Sequence, residues 1–110
     1  MNFAARLQQL PSAAHLCALH LIDAEGVTVA TLENKPGQAG SLAVYAALAA
    51  LYGGTITPAG ATLGLEWYAE HTADAHAHPG KHPNIDRLVA WAAGSASYRA
   101  RLVPAASAAA

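Results

Sequence analysis

Charge is what this 110-residue chain has least of: Asp, Glu, Lys and Arg together make up 12% of it, about half the usual share in a soluble domain. So little charge excludes a disordered polyampholyte and a charge-laced coiled coil. Six Lys and Arg against seven Asp and Glu leave a formal charge of -1. No basic field therefore exists to hold nucleic acid or an anionic membrane surface. The single cysteine, Cys17, excludes an internal disulfide. A lone thiol inside an apolar strand pattern suits a reducing cytosol and reads as a small buried hydrophobe. Long hydrophobic runs are also missing. The longest weakly polar stretch, Leu42 to Leu51, is well short of the roughly 20 residues that span a bilayer. The opening MNFAARLQQLPSAAHL has no uninterrupted apolar core of the signal-peptide kind. The expectation is a cytoplasmic chain with no membrane segment.

What is present is apolar bulk. Hydrophobic residues reach 54%, enough for one core in a domain with a radius of gyration near ~13 Å. Alanine accounts for 29 residues, so it is weak evidence for a helix at any one place. No linker or repeat divides the chain. The expectation is a single domain over 1–104 and a disordered Ala-rich tail over 105–110, where only methyl groups are available for burial.

Periodicity supplies the elements. Phe3, Leu7 and Leu10 recur at helical spacing before Pro11 stops the ladder. LCALHLID and VTVATLE, separated by Ala24-Glu25-Gly26, read as a hairpin over 16–33, with Gly26 free to take the positive φ of its turn. His20 lies mid-strand and is expected half-exposed or hydrogen-bonded within the sheet. Ser41 reads as the cap of a helix carrying Leu42, Tyr45, Leu48 and Tyr52, widened by Val44 and Leu51 and closed by Gly53-Gly54. Thr57-Pro58 opens another helix that runs to about Ala77. Asn84 or His82 caps a shorter one with Ile85, Leu88, Val89 and Ala92 inward. SYRARLV alternates as a last strand over 97–103. The order α-β-β-α-α-α-β predicts an α+β fold, a small mainly antiparallel sheet with helices over one face. A sheet that small leaves open edges and apolar positions on both faces, which a homodimer would cover.

Two segments carry chemistry. The first is the loop Glu33, Asn34, Lys35, Pro36, Gly37, Gln38, Ala39, Gly40, Ser41. Its glycines allow backbone N–H groups to converge, a helix begins at its end, and Lys35 adds a charge, the ingredients of an anion or carboxylate site. It matches neither a Walker loop nor a dinucleotide fingerprint. The candidate ligand-binding residues are Glu33, Asn34, Lys35, Gly37, Gln38, Gly40 and Ser41; the plainer alternative is a polar turn with a helix cap. The second segment, EHTADAHAHPGKHPNID, holds four of the six histidines. On one continuous helix Leu63, Trp67, Glu70, His71, Asp74 and His78 share a stripe roughly 100° wide, while His76 points away. His71, Asp74, His78 and His82 are the candidate metal ligands, with zinc the metal that suits imidazoles and a carboxylate. The alternative is that they pair with one another or with the helix end. No HExxH, no CxxC and no activated nucleophile accompanies them.

At ENKPGQAGSLAVY and YAEHTADAHAHPGKHPNIDRL the chain resembles a family of small, single-domain bacterial proteins, chiefly proteobacterial, known only as a domain of unknown function. The resemblance covers most of the chain, implies a cytoplasmic bacterial setting, and brings no substrate, cofactor or catalytic residue.

The two segments flank one helix pair. If the helix at Ser41 and the one ending near His78 are antiparallel neighbours joined by GGTIT, the loop faces the His/Asp cluster. Lys35, Asn34, His71, Asp74 and His78 would then share a pocket. The reading is a binding or regulatory module for a small polar ligand or metal; the alternative is a homodimeric interaction module without a ligand. An enzyme has the least support.

Overall fold

In the computed structural model, which describes residues 1–105, the chain forms an α+β fold. The elements are α1 (Phe3–Gln9), β1 (Leu16–Ile22), β2 (Thr28–Glu33), α2 (Ala39–Leu51), β3 (Thr55–Ile56), α3 (Pro58–Tyr68), α4 (Glu70–Ala77), α5 (Pro83–Ala93) and β4 (Tyr98–Pro104). The sheet is antiparallel throughout, in the order β2-β1-β4-β3. The two-residue β3 is an addition to the sequence reading; it is too short to show alternation. The tail expected over 105–110 lies outside the described residues except for Ala105, whose N–H donates to the His15 carbonyl at 2.9 Å.

The hairpin turns as its sequence requires. Gly26 takes φ 84°, and Asp23 Oδ1 accepts from the N–H groups of Glu25 and Val27, both at 2.9 Å. β1 then pairs Leu19 with Leu32 on one side and with Leu102 on the other. Leu19, Leu21 and Leu32 are fully buried against Leu42, Tyr45 and Leu48 of α2. α2 packs on all four strands, α3 packs between α2 and α5, and α5 packs on α3 and α4 and reaches the sheet through Trp91, whose ring meets Tyr98 of β4. α2 thus lies against the sheet and α3 forms a second tier over it. Gly64 lets the tiers approach: a Cβ there would stand 2.8 Å from Leu48 Cδ1 and 2.9 Å from Leu88 Cδ1.

Several local expectations are corrected. The helix expected over 58–77 breaks at Ala69, which takes φ 52° and ψ -117°, a conformation that normally belongs to glycine. The Thr72 hydroxyl donates to the Leu65 carbonyl at 2.6 Å, satisfying an acceptor the break exposes. The polar stripe from Leu63 to His78 is therefore not continuous. Helix α2 starts at Ala39 with Gln38 as its cap, so Ser41 lies inside the first turn. Leu51 and Tyr52 are exposed, because the helix ends there. Cys17 is exposed as well. The register shifts between Leu16 and Ala18, and the bulged residue at that shift has no partner on β4. His20 is half-buried, with Nδ1 2.9 Å from Thr31 Oγ1 across the hairpin.

Candidate functional site

The break at Ala69 aims α4 at the loop before α5, and the two segments singled out in the sequence meet there. Gly37, Gly40 and Ser41 line a cavity of about 330 Å³ together with Tyr68, His71, Lys81, His82 and Asn84; Phe3 of α1 forms part of its wall. That volume is at the lower end of the range for small-molecule sites.

Two helix N-termini open onto this space. At α2 the Ala39 N–H reaches the Lys35 carbonyl at 3.0 Å and the Leu42 N–H the Gln38 carbonyl at 2.9 Å. Among the described residues the Gly40 and Ser41 N–H groups between them have no acceptor. At α5 Pro83 has no N–H, and the Ile85 and Asp86 N–H groups both go to the His82 carbonyl. The Asn84 N–H is left. Neither helix has a side-chain cap. Uncapped first turns keep their partial positive charge for whatever enters.

Side chains add to that sign. Asp74 holds His82 Nε2 at 2.6 Å and Lys81 Nζ at 3.0 Å, both on Oδ2, with His78 Nε2 at 3.8 Å from Oδ1. The His82 hydrogen bond, followed by Lys81, holds the Asp74 carboxyl at about 2, below its ordinary 3.8. Asp74 thus stays ionised and fixes two basic side chains at the cavity wall. With Nε2 committed to a carboxylate, His82 keeps Nδ1 for another partner. The His71 ring stacks edge-on against His82 at 5.7 Å and against Phe3 at 5.1 Å. On the opposite wall the Tyr68 hydroxyl donates to Ser41 Oγ at 2.7 Å; burial pushes that phenol up. Glu70 accepts from the Phe3 N–H at 2.8 Å, the main reason its carboxyl is lowered. This bond ties α1 over the cavity.

The sequence-predicted residues separate. Gly37, Gly40, Ser41, His71 and His82 line the cavity; Glu33, Asn34, Lys35, Gln38, Asp74 and His78 do not. Glu33 and Lys35 form an exposed ion pair at 3.7 Å. Asn34 Nδ2 donates to the Leu16 carbonyl at 2.8 Å and the Ala13 carbonyl at 3.4 Å, and Gln38 Oε1 accepts from the Glu33 N–H at 2.9 Å. These four shape the loop. Among the described residues no three His, Cys, Asp or Glu side chains are grouped to hold a metal ion. Asp74 pairs instead with His78, Lys81 and His82, while His71 makes ring contacts with His82 and Phe3. Phe3, Tyr68 and Lys81 were missed. Phe3 and Tyr68 read as core spacing, and Lys81 gains its place only through Asp74.

Comparison with known proteins gives one family: the chain belongs to that described as an uncharacterized protein conserved in bacteria (DUF2322), which matches residues 3–102. No curated protein and no solved structure matches it.

Proposed function

We propose that this member of the bacterial family is a binding module for a small anion, a carboxylate or a phosphate, held where α2 and α5 begin. The observation that carries the reading is the convergence of two uncapped helix N-termini on one cavity that Lys81, His71 and His82 also line. Backbone donors and a positive dipole end favour negative charge, and two such ends facing one space reinforce each other. Lys81 supplies a full charge. His82, kept in one tautomer by Asp74, supplies orientation. The size of the cavity restricts the ligand to a small molecule. Cytoplasmic residence belongs to the same reading, because the exposed thiol of Cys17 suits a reducing compartment.

Titration with inorganic phosphate and, separately, with acetate at low ionic strength tests this, followed by the amide resonances of Gly40, Ser41 and Asn84. Saturable shifts at these three, weakened at least tenfold by Lys81→Met, are expected. Shifts that never saturate, or that Lys81→Met leaves unchanged, overturn the reading.

A second reading, a homodimer, is supported by β2. It is an edge strand, and the exposed Val27 and Val29 lie at its start, an arrangement that pairing with a second copy would cover. Native mass spectrometry measures this directly, and a monomer at micromolar concentration would dismiss it.

A further inference from the structure

A second cavity, of about 430 Å³, lies where α5 stands off the sheet. Its walls are Leu21 and Val29 from β1 and β2, Ala90 and Trp91 from α5, and Tyr98 from β4; Arg87 is its one ionisable cation. We infer that it is a binding site for an amphipathic carboxylate, a medium-chain aliphatic or an aromatic acid, with the carboxylate on Arg87 and the apolar body against Trp91 and Tyr98.

Three features carry this. The wall is preformed: Trp91 and Tyr98 meet edge to face with ring centroids 4.6 Å apart, and the indole N–H is anchored on the Ala96 carbonyl at 2.9 Å. A fixed aromatic wall loses little entropy when it is covered. The space is apolar and still open, since Val29 remains 50% exposed beside it. The guanidinium is held in place and only partly used. Arg87 Nη1 donates to Asn84 Oδ1 at 2.8 Å and to the Tyr45 hydroxyl at 3.2 Å. Among the described residues its Nε and Nη2 donate to nothing in the chain. A rigid fork with spare donors at the edge of an apolar slot matches a carboxylate bearing an apolar tail. Acetate lacks the tail and an alcohol lacks the charge, so neither satisfies both parts.

Titration with octanoate and with benzoate, read by the two indole N–H resonances, tests the site. Trp91 lines the cavity and Trp67 does not. Saturable movement of the Trp91 signal with Trp67 unmoved is expected, and octanol should bind at least tenfold more weakly than octanoate. Arg87→Gln should remove that preference for the acid. Because Arg87 also holds Tyr45, Ala90→Phe gives a second variant: residue 90 is exposed, so the ring fills the cavity without disturbing the core, and octanoate binding should disappear. Equal affinity for octanol and octanoate, movement of both indoles together, or unchanged binding in Ala90→Phe would overturn the assignment.

Discussion

Asp74 on α4 and His82 just before α5 are eight residues apart and meet at 2.6 Å, Oδ2 to Nε2. The contact closes the loop through Pro79-Gly80 and sets one wall of the cavity between α2 and α5. Asp86 assists by accepting from the Gly80 N–H at 2.9 Å.

This pair makes the fold sensitive to acid. The His82, Lys81 and His78 groups around Asp74 favour its ionised form, lowering the carboxyl from 3.8 to about 2. A lowered folded value means that the stabilisation is complete above 3.8 and is lost as pH falls toward 2. Asp74→Asn should therefore be less stable than the parent at pH 7, and the difference should shrink across that acid window. Urea unfolding at a series of pH values measures it, and a gap that stays constant with pH would refute the assignment.

Ala69 is the strained point of the backbone. Its φ of 52° with ψ of -117° costs an alanine on the order of 1–3 kcal/mol, part of which a glycine recovers after its own entropy loss. Ala69→Gly should raise stability by about 1 kcal/mol. An unchanged or lower denaturation midpoint would count against the break between α3 and α4.

Asn34 separates loop-building from ligand-binding. Its side-chain amide donates to Leu16 and Ala13 carbonyls and lies outside the cavity. Asn34→Ala should cost about 1 kcal/mol of stability while phosphate affinity stays within twofold. A selective loss of affinity would return Asn34 to the ligand set.

Gly64 tests the two-tier packing. A branched side chain there meets Leu48 and Leu88 at once, and overpacking of that kind costs about 2 kcal/mol. Gly64→Val should lower the thermal midpoint, and the Leu48→Ala background should restore part of it. No rescue would mean that the helices approach elsewhere.

Much of the fold was legible because its signals are local. Gly26, Thr57-Pro58 and Gly53-Gly54 each mark an end by their own chemistry, and the structure puts a turn, a helix start and a helix stop there. Thr57 Oγ1 accepts from the Gly60 N–H at 3.1 Å, as a cap should. The break at Ala69 was illegible because alanine is the best helix former and the bond that bridges it, from the Thr72 hydroxyl to the Leu65 carbonyl, leaves no pattern in the sequence. Cys17 was misread because a bulge has no signature in an alternating pattern. For the site, connection length placed the two blocks on one side of the fold, but of Lys35, Asn34, His71, Asp74 and His78 only His71 lines the cavity where they meet. The sorting of Gly37, Gly40 and Ser41 into the cavity and of Asn34 and Lys35 away from it depends on the 3₁₀-like turn at Lys35, whose carbonyl accepts from both Gln38 and Ala39.

The order of strands also constrains when the sheet can exist. β4 lies between β1 and β3, yet it follows every other described element in sequence. Until residues 98–104 have emerged and docked, β1 has a neighbour on one side only and β3 has none. The hairpin and α2 can assemble from nearby residues, whereas the seam Leu16–Pro104 closes a loop through almost the whole chain. Closing so long a loop is entropically costly and slows folding. Strand β4 thus joins the two ends of the described fold, and the sheet is continuous only once it lies between β1 and β3.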